Sequence, residues 1–290
     1  MMNCAQCPRR CHAARYDELG EGFCGMGTLP RIARAAPHYG EEPCIYGQDG
    51  TGAVFFSGCV LGCVFCQNER VSHGGFGKTV TPIRLQEIVE GLAEECQSVS
   101  LVTPTHYAHL LPELLTKPLH VPVVYNTGGY DSVETLKTLE GKIDIYMPNL
   151  KYRSSRLSER YSTAPDYFDV AAAAVREMVR QVGPCEMGTD GILRRGVLIR
   201  HLVLPGCTAD SLAVLRWIRD NLTGVMVSVM AQYTPLPGVR ATPLDRRLTR
   251  VEYDRVTAFL TDNDMVDGYI QDLEASGVDA IPDFDALEGV

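Results

Sequence analysis

The sequence predicts an α/β fold built around a parallel β-sheet. Six short apolar runs, five of which end in Gly or Pro, contain the β-branched and aromatic residues typical of strands buried on both faces. Amphipathic helical patterns lie between these runs, and strands that alternate with helices indicate βαβ units. The 290 residues, 45% of them hydrophobic and 22% charged, are enough to bury a large core.

The six predicted strands are spread over most of the chain. They are AVFFSG (53–58), SVSLVTP (98–104), PVVYNTG (122–128), KIDIYMP (142–148), GVLIRHLVLPG (196–206) and GVMVSVMAQY (224–233). The clearest helical patterns cover 83–96, 168–182 and 211–222. Six strands are two short of a full eight-stranded barrel, so an incomplete barrel and a doubly wound sheet both satisfy the pattern. In either case ligands bind at the C-terminal ends of the strands.

Charge and hydropathy exclude several classes of partner. The net charge of −9 argues against a general electrostatic grip on nucleic acid. No apolar run reaches the roughly 20 residues that a membrane span needs. The first residues, MMNCAQCPRRCHAAR, lack the apolar centre of a signal peptide, so the sequence predicts a cytoplasmic protein without membrane or nucleic-acid partners.

The distribution of cysteines divides the chain. Eight of the eleven cysteines fall in the first 66 residues, and without an export signal they indicate metal or redox ligands rather than disulfides. Cys96, Cys185 and Cys207 are expected to be ordinary thiols. We predict an irregular Cys-rich metal-binding segment over 1–50, the α/β domain over 51–262 and an acidic extension over 263–290.

Three cysteines follow the first predicted strand directly. Cys59, Cys63 and Cys66 have the spacing C-x3-C-x2-C. Iron–sulfur clusters are normally held by four thiolates, so three leave one iron open to an exogenous ligand. A structural zinc ion would need a fourth protein ligand, for which His73 is the next candidate along the chain.

A second group of cysteines lies at the N-terminus. Cys4, Cys7, Cys11 and Cys24 have the spacing C-x2-C-x3-C-x12-C. Four thiolates complete a closed site, which suits structural zinc and a second iron–sulfur cluster equally well. Cys44 is an alternative ligand for this site.

The three-cysteine loop resembles that of the radical S-adenosylmethionine (radical SAM) enzymes, which carry C-x3-C-x2-C after a first strand, with an aromatic residue before the last cysteine, here Phe65. Further stretches resemble the uncharacterised branch of this superfamily that is related to pyruvate formate-lyase activating enzymes. They cover 38–68, 101–107, 123–132, 144–152, 199–206 and 227–235. The resemblance implies a partial (βα)6 TIM-like barrel.

The resemblance also implies cofactors and chemistry. Cys59, Cys63 and Cys66 would hold a 4Fe-4S cluster, and S-adenosylmethionine would chelate its fourth iron. One electron, from a reductant such as flavodoxin or ferredoxin, would then release a 5′-deoxyadenosyl radical that abstracts hydrogen from a substrate.

Polar residues at the strand ends are the candidate contacts to S-adenosylmethionine. The superfamily often has Gly-Gly-Glu after the second strand, where this chain has Thr103-Pro104-Thr105-His106 and lacks the carboxylate. Lys151 occupies the position of a lysine that approaches the cofactor in activating enzymes. The predicted cofactor-binding residues are Phe65, Thr103, Thr105, Asn126, Lys151, Arg200 and Gln232. Strand alternation lets only one of Arg200 and His201 face the interior, and a buried arginine needs an anionic partner. No catalytic residue is identified.

The leading hypothesis is therefore a radical SAM oxidoreductase of the type that activates a glycyl-radical enzyme, with a protein as its substrate. The alternatives are a non-catalytic, zinc-stapled binding module and a radical SAM enzyme that modifies a peptide or small molecule. The three-cysteine loop favours the enzyme, because a binding module has no need for an incompletely liganded iron.

Overall fold

The computed structural model describes residues 2–236, 239, 243–275, 284 and 287–290. Part of the extension predicted over 263–290 therefore lies outside the described residues. No helix in the described ranges is long and apolar enough to cross a membrane.

The strands begin with a small N-terminal hairpin and continue into one large sheet. In chain order they are β1 (Met2–Asn3), β2 (Ala14–Arg15), β3 (Arg31–His38), β4 (Thr51–Phe56), β5 (Lys78–Thr79), β6 (Ser98–Val102), β7 (Val123–Thr127), β8 (Ile145–Pro148), β9 (Glu186–Met187), β10 (Leu193–Leu202), β11 (Met226–Met230) and β12 (Gly268–Ile270).

Helices connect most of these strands. They are α1 (Pro43–Tyr46), α2 (Glu69–Ser72), α3 (Pro82–Glu95), α4 (Leu111–Leu114), α5 (Val133–Lys137), α6 (Ser155–Ser162), α7 (Tyr167–Val182), α8 (Thr208–Asn221) and α9 (Arg250–Asp262), with short 3-10 turns over Thr105–Leu110 and Leu273–Ala275.

The six predicted strands form the centre of the sheet as β4, β6, β7, β8, β10 and β11, all parallel and in that spatial order. β12 adds a parallel strand beside β11, while β3 and β5 extend the other side antiparallel. The ends of the sheet, β12 and β5, are not paired with each other in the described residues. The sheet is thus the partial barrel that the resemblance implies, and the doubly wound alternative is not adopted.

Strand β3 lies in the segment that was expected to be irregular. Six of its eight residues pair along the whole of β4, which places the chain between 39 and 50 at the barrel. The composition of 1–50 concealed this strand, because Pro37 and two arginines interrupt its apolar pattern.

The helices cover the outer face of the sheet for reasons visible in the sequence. α3 begins at Thr81, whose side chain accepts a hydrogen bond from the Arg84 backbone N–H, and Pro82 occupies the first helical position. Its apolar residues, spaced three and four apart, are buried against β3, β4 and β6.

The short helix α1 closes the base of the barrel interior. Cys44 and Ile45 are buried there in an apolar cluster with Val124, Ile145 and Leu198. Cys44 therefore packs in the barrel, among the N-terminal ends of its strands, and the alternative that made it a ligand of the N-terminal cysteine site is wrong. The opposite, C-terminal end of the interior remains open.

Candidate functional site

The three-cysteine loop stands at the C-terminal end of β4, and Cys59, Cys63 and Cys66 all line one cavity there. The loop starts with Gly58 at φ +82°, where a Cβ atom would collide with Met26. The cavity holds about 230 Å³, several times the share of one water molecule. It is therefore large enough to bind a ligand.

Each sulfur of the loop has a polar neighbour. Leu61 N–H donates to Cys59 Sγ at 3.3 Å. Cys63 Sγ lies 2.9 Å from Ser162 Oγ, and Cys66 Sγ lies 3.4 Å from Ser72 Oγ. Polar neighbours of this kind tune iron–sulfur clusters when they act on the ligating sulfur.

The environment of the thiols suits a cationic group. Burial raises the pKa of Cys59 to about 12, and the negative charges of Cys63 and Cys66 add to that effect. Burial and Cys63 likewise raise the pKa of Cys66, whereas Lys151 acts in the opposite direction on both thiols. Three thiolates would repel each other here unless a multivalent metal group held them.

The three thiols fit an iron–sulfur cluster by their chemistry. No three His, Cys, Asp or Glu side chains among the described residues are placed to hold one metal ion. A cluster does not require such convergence, because each of its irons takes its own thiolate. His73, the candidate fourth ligand for zinc, places Nε2 3.2 Å from the carbonyl oxygen of Leu61 and lies outside the lining of the cavity.

Most of the predicted cofactor contacts share the cavity with the cysteines. The lining includes Phe65, Thr103, Asn126, Lys151, Arg200 and Gln232. Thr105 lies elsewhere, in a buried network in which its hydroxyl donates to Asp131 at 2.8 Å and lies 3.1 Å from the Thr127 hydroxyl. Thr105 is therefore not placed to contact a ligand in the cavity, because the 3-10 turn directs its side chain into the core.

Two of these lining residues have informative local geometry. Thr103 ends β6 with φ +60°, a left-handed conformation that is uncommon for a β-branched residue, and its N–H donates to the Asn126 carbonyl oxygen at 2.7 Å. Such strained positions concentrate at ligand sites. Lys151 Nζ lies 5.9 Å from the centre of the Phe65 ring, so the ammonium group is held near the cysteines.

Arg200 faces the cavity, but its anionic partner belongs to the protein. Arg200 Nε donates to Glu42 Oε1 and Oε2 at 2.9 and 3.0 Å, and Nη2 donates to Oε2 at 2.5 Å. Burial alone would raise the pKa of Glu42, yet the guanidinium holds it below its usual value. His201 points to the opposite face of β10, where Nδ1 lies 2.7 Å from the Leu150 carbonyl oxygen.

Glu41 is the functional candidate that the sequence did not identify. It lines the cavity, and its Oε1 accepts hydrogen bonds from Ser100 Oγ at 2.9 Å and from Asn126 Nδ2 at 2.8 Å. Two consecutive glutamates before a short apolar stretch were the available signal. They were missed because β3 was not predicted, so nothing directed them to the barrel.

His106, which follows Thr105, likewise lies in the core. It is buried, and its Nε2 lies 2.7 Å from the Ser57 carbonyl oxygen. Burial lowers its pKa to about 3, so it is neutral. It supports the turn at the base of the three-cysteine loop and does not line the cavity.

The N-terminal cysteines form a second group beside this loop. Cys4 and Cys7 are buried, Cys24 is half-buried and Cys11 is exposed. Burial, together with the charges of the other three thiols, raises the pKa of Cys7 to about 11. The four thiols are thus close enough to influence one another, although no three of them are placed to hold a single metal ion.

Arg9 joins this group to the three-cysteine loop. Its Nε donates to the Val60 carbonyl oxygen at 2.8 Å, and Nη1 donates to the Thr163 carbonyl oxygen at 2.6 Å. The guanidinium also lies over the Phe23 ring, 3.9 Å from its centre.

Comparison with known proteins gives one clear relative. The chain is 30% identical over 267 residues to the uncharacterised protein MJ0674 of Methanocaldococcus jannaschii. The aligned region covers 87% of this chain and 72% of that protein. A comparison with models of protein families gives no match.

The fold is similar to that of SuiB from Streptococcus suis. The structure of SuiB bound to S-adenosylmethionine has a TM-score of 0.50 and 15% identity, over 74% of this chain and 48% of SuiB. SuiB bound to the precursor peptide SuiA has a TM-score of 0.51 and 15% identity, over 74% and 47% of the two chains. The chain thus matches about half the length of SuiB, and this likeness establishes the fold.

Proposed function

This chain belongs to the same family as the uncharacterised protein MJ0674 of Methanocaldococcus jannaschii, and we propose that it is a radical SAM enzyme. The observation that carries the proposal is a cavity at the strand ends that receives three cysteine thiols from one loop, opposite a lysine and a set of polar side chains. The likeness of the fold to a protein solved with S-adenosylmethionine supports this function.

The residues of the cavity have separate proposed roles. Cys59, Cys63 and Cys66 would hold a 4Fe-4S cluster, and Lys151 would pair with the carboxylate of S-adenosylmethionine. When bound, these groups supply one-electron reductive cleavage of the sulfonium and a 5′-deoxyadenosyl radical. The buried walls around Phe65 would exclude water from that reaction.

The finer assignment is an oxidoreductase of the activating-enzyme type that takes hydrogen from a partner protein. It rests on the stretches that resemble the branch related to pyruvate formate-lyase activating enzymes. We propose a flavodoxin or ferredoxin as the electron donor and the cytoplasm as the location. A second candidate, the modification of a peptide or small molecule, is favoured by the polar floor of the cavity around Glu41.

We also propose that Cys4, Cys7, Cys11 and Cys24 hold a second metal group, either zinc or an iron–sulfur cluster. The mutual influence of their thiols on the pKa of Cys7 supports one shared site. A zinc-stapled binding module without catalysis would use this site alone and would leave the three-cysteine loop without a role.

The enzyme can be tested by anaerobic reconstitution with iron and sulfide. We expect the native protein to gain iron–sulfur absorbance and, with S-adenosylmethionine and dithionite, to form 5′-deoxyadenosine. Cys63→Ser should lose both properties, because one of three ligands is missing. Cys96→Ser is the matched control, since this thiol is also buried but lies at the end of α3, outside the cavity lining.

Two results would overturn the proposal. One is native protein that takes up zinc alone and forms no 5′-deoxyadenosine. The other is Cys63→Ser protein that retains the iron content and the cleavage activity of the native chain.

A further inference from the structure

The floor of the cavity is a polar layer within the barrel. Glu41, Asn126 and Arg200 line the cavity. Ser100 and Glu42 complete the layer through hydrogen bonds to Glu41 and Arg200. Ser100 is the third of the five residues of β6, so the layer lies deeper than the strand ends that face the cysteines. Below it, α1 closes the barrel.

Among the described residues of the layer, Glu41 is the one with a buried side-chain oxygen that has no hydrogen-bond partner. Its Oε1 already accepts two hydrogen bonds, from Ser100 and Asn126. Its Oε2 is buried and has no partner among the residues that the structure describes. A buried carboxylate oxygen without a donor is costly, and such atoms are rare in native proteins. The two bonds to Oε1 fix the carboxylate, so Oε2 has a set position.

The positive charges around the cavity do not neutralise Glu41. Arg200 lies nearby and acts on the carboxylate, but its hydrogen bonds in the layer go to Glu42. Burial lowers the pKa of His38 to about 4, so this lining residue is neutral at neutral pH. Lys151 stands beside Phe65 and acts on Cys59 and Cys66. Two carboxylates therefore share one guanidinium, which leaves one negative charge when both are ionised.

We propose that this floor is a binding site for a protonated amine, whose N–H donates to Glu41 Oε2. A primary or secondary ammonium group supplies both the missing donor and the missing positive charge. A metal ion is a poor alternative, because a single free carboxylate oxygen offers too few ligands. An anionic group is excluded by the charge of the layer.

The amine has two possible sources, the amino group of S-adenosylmethionine and an amino group of the substrate. The assignment to S-adenosylmethionine rests on the proposed function. The existence of an amine-binding site at Glu41 does not. The test therefore begins with butylamine, which is protonated at neutral pH, and with butanol, which has nearly the same shape and no charge. Binding is measured by ligand-observed nuclear magnetic resonance on the full-length protein, with and without reconstitution.

We expect native protein to bind butylamine at least about tenfold more tightly than butanol, which is the expected size of one hydrogen bond to a charged group. Glu41→Gln keeps the shape of the side chain and should abolish this preference. Glu94→Gln is the matched control, because Glu94 is 78% exposed on α3, away from the cavity. An absence of preference in native protein overturns the proposal, and this comparison needs no variant.

A second experiment identifies which molecule supplies the amine. Calorimetry on reconstituted protein compares S-adenosylmethionine with its analogue that lacks the amino group. If Glu41→Gln weakens binding of S-adenosylmethionine about tenfold and leaves the analogue unchanged, the amine is that of S-adenosylmethionine. If it affects neither ligand, and native protein saturated with S-adenosylmethionine still prefers butylamine, the amine belongs to the substrate. Protein that prefers butylamine but forms no 5′-deoxyadenosine would refute the proposed function and leave this site standing.

Discussion

Arg9 Nε donates a hydrogen bond to the Val60 carbonyl oxygen at 2.8 Å, and Val60 lies between Cys59 and Cys63. The same guanidinium reaches the end of α6, where it donates to carbonyl oxygens of Ser162 and Thr163. Ser162 in turn touches Cys63 Sγ through its hydroxyl. One side chain from the N-terminal cysteine segment therefore braces two sides of the loop that would hold the cluster.

We expect Arg9→Ala to lower the free energy of unfolding by about 1–3 kcal/mol, because it leaves the half-buried carbonyl oxygen of Val60 without its donor. Iron retention after reconstitution should fall as well, since the loop loses its brace. Arg10→Ala is the control: Arg10 is adjacent, is 63% exposed and forms only a loose ion pair with Glu134. Equal iron content and equal denaturation midpoints in the two variants would contradict this role.

The N-terminal cysteines give a prediction about metal content. Cys7→Ser should remove one metal group from the purified protein, because it deletes one of four proposed thiolate ligands. Metal analysis should show the loss as one zinc ion, or as the iron and sulfide of one cluster. Cys185→Ser, which alters a half-buried thiol outside both groups, should leave the content unchanged. Unchanged metal in Cys7→Ser would exclude Cys7 as a ligand.

The Arg200–Glu42 pair is predicted to stabilise the barrel. Its side chains are only 13% and 7% exposed, so Glu42→Gln removes the carboxylate that hydrogen-bonds this buried cation and should cost about 3 kcal/mol in the free energy of unfolding. The double variant Glu42→Leu/Arg200→Met should recover most of this loss. Glu140→Gln, which breaks an exposed ion pair with Arg180, should have little effect in the same denaturant titration.

The pH dependence of the stability lost in Glu42→Gln follows from the direction in which folding shifts the pKa of Glu42. Because the pKa of Glu42 is lowered in the folded protein, its contribution is present above the pKa of the unfolded chain, at about pH 4, and is lost as the pH falls through the folded value. The difference between native protein and Glu42→Gln should therefore shrink in acid. A difference that grows as the pH falls would contradict the ion pair as its origin.

The contribution of Glu41 to stability should have the opposite pH dependence. Burial raises its pKa in the folded protein, so stability declines as the pH rises from the unfolded value through the folded one. Without an amine ligand, Glu41→Gln should therefore be at least as stable as native protein at pH 7, and the advantage should vanish in acid. Thermal denaturation at several pH values measures this, and a growing advantage of the native protein towards neutral pH would contradict the shift. A buried carboxylate that lowers the stability of the ligand-free protein is expected where that carboxylate binds a ligand.

Local sequence patterns were sufficient for the six central strands and the three-cysteine loop. β7 and β8 are buried on both faces, so their apolar runs identify them. Strand β3 was not predicted, because its evidence is its pairing with β4 and its own sequence is broken by Pro37. Thr105 was predicted to lie at the cavity because it follows a strand. The turn over Thr105–Leu110 instead buries it beside Asp131.

The sequence by itself identified the six central strands and put three thiols after the first of them, since both depend on residues close together in the chain. Tertiary structure alone decided the charges inside the barrel. Arg200 and Glu42 are 158 residues apart, and Arg9 is 154 residues from Thr163, so no local pattern pairs them. The orphaned oxygen of Glu41 is of the same kind, because what a buried charge lacks is known only when every strand around it is in place.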